Sequence, residues 1–352
     1  QFGYAYIQGL QGNSLKAAET IVACAKHFVG DGGTTRGKDQ GNAQMDEETL
    51  RNIHLPGYIK AIEAGTATIM ASFNSWNGEK LHGNKYLLTG VLKGELGFEG
   101  FIISDWAGVD QVHPDYKTAV KKSINAGIDM VMVPGDYVQF TEILSELVNA
   151  GEVPTERIDD AVSRILWVKF RAGLFEQPFS DPSLLPVVGS TGHRTVASQG
   201  VLESVVMLKK KDGVLPLPRN SKHIHVAGKN ANDIGNQCGG WSVSWQGNSG
   251  NITEGTTIFE AIKQSVMTTE VTYSANGGDA GDANIGIAVI GETPYAEGAG
   301  DKDDLSLSAE DIDVVKNLKK DGRTVIVVII SGRPLLINPV IPYSDAILAA
   351  WL

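Results

Sequence analysis

Two carboxylates stand far apart in the chain, each in a setting where it could do chemistry. Asp105 ends the run Gly100-Phe101-Ile102-Ile103-Ser104, in which apolar, β-favouring residues follow a glycine turn and stop at a polar tip. A carboxylate at the C-terminal end of a parallel strand, beside Trp106 and ahead of Gly108, is where an α/β barrel places a catalytic group and a binding platform. The same residue type also ends strands and caps helices without doing any chemistry. Glu297 lies in the glycine-rich loop ETPYAEGAGD that follows the apolar run Ile285 to Gly291. A carboxylate in such a loop can be delivered across a domain interface as a general acid. Its rival is Glu292, which sits directly at a strand end, where structural roles are common. Glycoside hydrolysis needs two carboxyl groups on opposite sides of the scissile bond, roughly 5 Å apart in retaining enzymes, so Asp105 and Glu297 form a mechanistically sensible pair.

A third feature is the loop CGGWSVSWQG, which sets Trp241 and Trp245 four residues apart among glycines. An exposed indole is costly unless something packs on it, and the apolar C–H face of a sugar ring suits it; packing into a seam between domains would satisfy it equally. The segment IVACAKHF closes on Lys26-His27, a second polar strand tip.

These groups need a scaffold, and the chain is long enough to supply one. Its 352 residues, 42% of them hydrophobic, suffice for two domains with full cores. Lys and Arg total 30 against 41 Asp and Glu, a formal net charge of −11 that disfavours a nucleic-acid partner and suits a neutral ligand. The longest apolar run, Val325 to Ile330, is too short to span a bilayer, so no membrane segment is expected. Cys24 and Cys238 offer neither a disulfide framework nor a metal-ligand cluster, and no cofactor is expected. The chain starts at Gln1 without a leader and stops on Ala349-Ala350-Trp351-Leu352, so it looks cut at both ends.

Strand and helix alternate through the first half. Strands are expected at Ile21–Phe28, Thr66–Phe73, Gly100–Asp105 and Asp129–Pro134. Helices are expected over 14–20, 46–65, 86–97, 116–127, 141–150 and 155–170. Short connections between them are the signature of parallel βα units, and four units make either an open doubly wound sheet or half of a closed barrel, the reading favoured by the polar and aromatic strand tips. The proline-punctuated stretch LFEQPFSDPSLLP marks a linker. Beyond it come a helix over 193–209 and then a second block with strands at 223–228, 270–274, 285–291, 324–330 and 346–352. Helices at 257–266 and 308–320 complete that block, opened by capping boxes at Thr257/Glu260 and Ser308/Asp311.

Taken together, KHFVGDGG, GFEGFIISDWAG, DMVMVP, CGGWSVSWQG and GETPYAEGAGD, in this order, resemble glycoside hydrolase family 3, in its two-domain β-D-glucan exohydrolase and β-glucosidase branch. The resemblance implies an α/β protein: the C-terminal half of a (β/α)8 TIM-like barrel over 1–175, a linker over 176–200, and an α/β sandwich domain over 201–352 that normally continues further. It implies a retaining, exo-acting hydrolase releasing glucose from the non-reducing ends of β-glucans and β-gluco-oligosaccharides, and hence an extracellular or periplasmic location. Asp105 would be the nucleophile and Glu297 the acid/base. Lys26 and His27 would bind the hydroxyls of the terminal glucose, Trp106 and Trp245 would clamp the next sugar with Trp241 beside them, and Met70 would line the site.

The chain departs from the family pattern at Gln111, where an Arg is usual, and at Phe73, where a Tyr is usual, which bears on leaving-group contacts and linkage preference. Family members that act as β-N-acetylhexosaminidases carry a His in the loop after KHF; here Gly30-Asp31-Gly32-Gly33 fills it. A carbohydrate-binding protein without turnover would keep the tryptophans and lose the carboxylates. Nucleotide binding would need a glycine fingerprint after a strand, and none follows one.

Overall fold

The computed structural model describes residues 2–352 and divides into two compact units, Gln1–Leu185 and Pro186–Leu352. The first unit opens with helix α1 (Phe2–Gln11), followed by strand β1 (Cys24–Phe28), the short β2 (Asn42–Ala43), the single turn α2 (Glu47–Thr49) and α3 (Pro56–Glu63). Next come β3 (Thr68–Ala71), β4 (Ser75–Trp76), β5 (Glu79–Lys80), a wide π-type helix Tyr86–Glu95 and β6 (Phe101–Ile103). Helices α4 (Tyr116–Ala126), α5 (Tyr137–Asn149) and α6 (Thr155–Arg171) complete the unit. One of its three-stranded sheets is parallel, in the order β1-β3-β6; the short β2, β4 and β5 form another, mixed one. Phe28, Leu50, Ile69, Leu88, Ile102 and Ile128 meet in the main core, and burying each such side chain contributes about 1.5–3 kcal/mol.

Three sequence expectations change here. Residues 14–20 form turns in place of a helix, and the first helix is α1, whose Gln11 amide serves the Ala23 and Ala67 N–H groups at 3.2 and 3.0 Å. The single helix expected over 46–65 is broken: α2 is capped by Asp46, a wide π turn covers Leu50–His54, and α3 restarts with Pro56, which has no N–H to continue the ladder. The strand expected at 129–134 shrinks to one bridge between Ile103 and Met130. The Asp129 and Met130 N–H groups both reach the Ile102 carbonyl, and the Met132 N–H bonds the Ser104 hydroxyl, so that backbone never forms a ladder.

Asp129 is instead a buried anchor. Its side chain is fully enclosed and accepts from the Ile102 N–H at 2.8 Å, from Lys93 at 2.7 Å and from Arg157. Two cations and an amide around one carboxylate supply the compensation that a buried charge requires, and they tie α6 and the π helix to β6.

The second unit contains α7 (Thr191–Ser204), β7 (Val206–Lys210), β8 (His223–Ala227), α8 (Ile234–Cys238), α9 (Ile258–Ser265), β9 (Glu270–Ser274), β10 (Ile285–Gly291), α10 (Ala309–Lys319), β11 (Thr324–Ile330) and β12 (Ala346–Ala349). Its sheet runs β7-β12-β11-β10-β8-β9, all parallel except β7. The helix expected over 193–209 therefore ends at Ser204, and its last residues become the antiparallel edge strand β7. Every residue of β10 is buried, as a central parallel strand covered on both faces requires. The Thr257/Glu260 capping box is complete. At Ser308 only half of one forms, because the Asp311 carboxylate turns to Lys229 at 2.8 Å.

The chain visits β8, crosses to β9 on one side, then returns to β10 on the other. That reversal makes the carboxyl ends of β8 and β10 a topological switch point, where open α/β sheets carry their ligand crevices. The segment leaving β8 runs through α8 into the loop containing Trp241 and Trp245, and the loop leaving β10 contains Glu297.

Candidate active site

In the first unit, three strand tips converge. Met70 of β3 pairs with Ile103 of β6, two residues before Asp105. On its other side β3 pairs Ile69 with Ala25 and Ala71 with Phe28, so Lys26 and His27 together oppose the single residue Met70. An extra residue of this kind is a bulge, which re-aims side chains at a sheet's functional end. The His27 ring reaches Asp105, with Nε2 3.5 Å from the Asp105 Oδ2. Its Nδ1 lies 3.3 Å from the Asp31 carboxylate, at the start of the tight turn Asp31–Gly33. His27 thus stands between two acids.

The Asp105 side chain is largely enclosed, with 15% of it exposed. Oδ1 accepts the Trp106 N–H at 2.7 Å, its main-chain carbonyl accepts the Ser104 hydroxyl at 2.9 Å, and its own N–H donates to the His82 Nε2 at 2.9 Å. Oδ2 faces His27 and the open side. The Trp106 indole is 64% exposed, a flat apolar surface beside the acid. A carboxylate whose Oδ1 is held by the next residue's N–H, on a backbone fixed through its own N–H and carbonyl, can attack an electrophilic carbon or stabilise a developing cation with its other oxygen.

His82 was not among the expected residues. It lies in the short turn Leu81–Gly83, is 1% exposed, and packs its ring 5.9 Å from that of Phe73. Burial, with the Lys80 charge adding to it, lowers its imidazole from the ordinary value to about 4, so the ring is neutral. No local pattern in the sequence marks it; only the fold brings it under Asp105. Two other residues singled out in the sequence meet nearby: Lys80 Nζ bonds the Phe73 carbonyl and the Gln111 amide oxygen, each at 2.8 Å, and the Gln111 NH2 donates to Gln40 at 2.8 Å. Gln111 therefore latches the 39–40 loop to the turn after Asp105.

In the second unit, Trp241 and Trp245 are 63% and 54% exposed, and their rings lie 6.4 Å apart, tilted by 55°. The Trp241 N–H bonds the Trp245 carbonyl at 2.9 Å, closing the loop on itself. Gln246 accepts the Ala296 N–H at 2.9 Å, joining this loop to the one containing Glu297. Gly240 completes the join, because a Cβ there would overlap the Tyr295 carbonyl. Glu297 is exposed and opens the turn Glu297–Gly300 with φ 52°, a left-handed conformation uncommon for a side-chain-bearing residue. Glu292 is buried: it accepts from Arg333 at 2.7 Å and from the Tyr295 hydroxyl at 2.9 Å. Lys26, His27, Met70, Asp105 and Trp106 thus gather in the first unit, and Trp241, Trp245 and Glu297 in the second. Among the described residues, no group of three His, Cys, Asp or Glu side chains is arranged to hold a metal ion, and no helix is long and apolar enough to cross a membrane.

Residues 1–168 match the Glycosyl hydrolase family 3 N terminal domain, and residues 205–352 match the Glycosyl hydrolase family 3 C-terminal domain. A lysosomal beta glucosidase of Dictyostelium discoideum is 34% identical over 99% of this chain and 47% of its own length. A periplasmic beta-glucosidase of Salmonella typhimurium is 28% identical over 99% of this chain and 51% of its own. Among solved structures, an exo-1,3/1,4-beta-glucanase from a Pseudoalteromonas species superposes with a TM-score of 0.94 at 41% identity, covering 100% of this chain and 46% of that one. The chain spans about half the length of the relatives it matches.

Proposed function

The chain belongs to glycoside hydrolase family 3, and from that premise we propose that it carries the catalytic residues of a retaining, exo-acting β-glucosidase or β-glucan exohydrolase. The observation that carries this reading is Asp105, its backbone fixed by His82 and Ser104, its Oδ1 by the Trp106 N–H, and its Oδ2 near His27 beside an exposed indole. In the first step an Asp105 oxygen donates an electron pair to the anomeric carbon, the glycosidic C–O bond breaks, and the leaving oxygen takes a proton from Glu297. In the second, Glu297 takes a proton from water, whose oxygen displaces Asp105 and regenerates both groups. Lys26 and His27 bind hydroxyls of the terminal glucose, Met70 lines its site, and Trp106 and Trp245 clamp the sugar that follows, with Trp241 beside them. The three-stranded parallel sheet is read as part of a (β/α)8 barrel.

The substrate class is a β-glucan or β-gluco-oligosaccharide, consistent with the exo-1,3/1,4-beta-glucanase and beta-glucosidase relatives. Such substrates lie outside the cytoplasm, and one relative is periplasmic, so an extracellular or periplasmic location is proposed.

The test is hydrolysis of an aryl β-D-glucoside with the released sugar followed by NMR. The expected first product is the β-anomer of glucose, with Asp105→Ala lowering turnover at least about 10⁴-fold. Initial release of the α-anomer would exclude a retaining mechanism. Sugar binding with no turnover would leave a carbohydrate-binding protein.

A further inference from the structure

We propose that His82 is a positioning residue for the reaction, holding Asp105 in its attacking geometry by accepting the Asp105 backbone N–H on a ring nitrogen. This rests on the reading of Asp105 as the nucleophile. Nε2 can accept that N–H only through its lone pair, so the ring proton must sit on Nδ1. The environment enforces the neutral form. The ring is buried, Lys80 places positive charge nearby, and the Ser72 carbonyl facing the ring only partly offsets them.

The arrangement carries a cost that packing alone does not explain. Nδ1 is buried and no hydrogen-bond partner reaches it in acceptable geometry. A leucine of similar bulk would fill the space under Phe73 without burying two ring nitrogens. What the imidazole supplies, and leucine lacks, is an acceptor for the Asp105 N–H. The backbone is shaped to admit the ring: a Cβ at Gly108 would overlap it, and Ala107 turns through the left-handed region at φ 52°. The turn that presents the ring is itself pinned, because Asn84 accepts the Leu87 N–H and donates to Glu79, both at 2.8 Å.

Hydrogen bonds reach Asp105 from Ser104 and from the Gly108 N–H on its carbonyl and from the Trp106 N–H on Oδ1, and its own N–H donates to His82. Those from Ser104, Trp106 and Gly108 come from chain neighbours and move with the strand tip. The His82 bond comes from a distant segment and holds the Asp105 main chain itself, whereas the other distant contacts fall on Ser104, from Met130 and Met132, and on Oδ2, from His27. Losing it lets the carboxylate drift, and a displacement of about 1 Å at a reacting group costs about 100-fold in rate.

The test compares wild type, His82→Gln and His82→Leu. The Gln amide oxygen falls near the place of Nε2 and can still accept the bond, whereas Leu cannot. The expected result for His82→Leu is a fall of about 100-fold in kcat/KM on an aryl β-glucoside, with glucose inhibition unchanged within about 3-fold, and recovery to within about 5-fold of wild type in His82→Gln. Amide hydrogen exchange gives the second measurement: the Asp105 N–H is expected to exchange slowly in wild type and His82→Gln and about 100-fold faster in His82→Leu. If His82→Leu does not fold, His82→Asn, whose amide stops short of Asp105, takes its place. Equal kcat/KM in the Gln and Leu variants, or equal protection of Asp105 in all three proteins, overturns the proposal. If wild type releases no glucose, the β-glucosidase reading fails by itself, and unequal or equal protection of the Asp105 amide still decides for or against His82.

Discussion

Glu292 and Glu297 lie five residues apart in one loop and have opposite surroundings. Glu292 is enclosed and paired with Arg333 and Tyr295, an arrangement that fixes the carboxylate as an anchor for the loop. Glu297 is exposed on the outer face of the loop, where a carboxyl group can give and take a proton. Glu297→Ala is expected to lower turnover of an aryl glucoside by about 10²–10⁴-fold, and azide is expected to restore turnover while forming a β-glucosyl azide. Product analysis by NMR checks this, and failure of azide to rescue would remove Glu297 from the acid/base role. At this scale the sequence marks residue type and setting: a strand-tip Asp beside Trp, and a Glu in a glycine loop. It does not mark His82 or Asp31, because their roles depend on which residues the fold places beside them.

At the scale of the element, bulges, breaks and strand ends decide what reaches the site. The β1 bulge turns Lys26 and His27 toward one rim, and the break at Pro56 lets the 46–63 segment fold in two pieces around the core residue Leu50. In the second unit Asp345 gathers four elements at the start of β12. It accepts from Lys211 beyond β7 and from Lys319 of α10, each at 2.6 Å, and from the Val325 N–H of β11 at 2.9 Å. Burial would raise this carboxyl, but the hydrogen bonds from the two lysines and the amide outweigh it and pull it down to about 2. Asp345→Asn keeps the shape and removes the charge, so it is expected to destabilise the second unit by about 2 kcal/mol. Chemical denaturation of the two proteins measures the difference. Periodicity finds most of these elements, and it fails where a tertiary partner takes over the backbone donors, as it does at Met130 and Met132.

For the molecule as a whole, buried histidines set how stability responds to acid. His82 in the first unit and His225 in the second are both lowered from the ordinary value by burial. A histidine lowered on folding binds its proton more readily when unfolded, so stability is full above about pH 6.5 and falls as pH drops through the folded value. For His82 that window runs from about 6.5 to about 4 and is worth on the order of 3 kcal/mol. The depressed carboxylates, such as Asp345, then add their own loss below about pH 4. The expected outcome is a thermal midpoint that declines from about pH 6.5 downward, less steeply in His82→Gln; a midpoint flat to about pH 4 would contradict it. By itself the sequence determined the alternating α/β character, the family and the residue types of the site, because strand burial, glycine turns and motif order are properties of the chain read locally. Only the tertiary structure decided that Lys26 and His27 oppose Met70, that Glu292 is spent on Arg333, and that a histidine 23 residues away holds the Asp105 backbone. Each of these is a contact between segments distant in sequence, set by sheet order and packing.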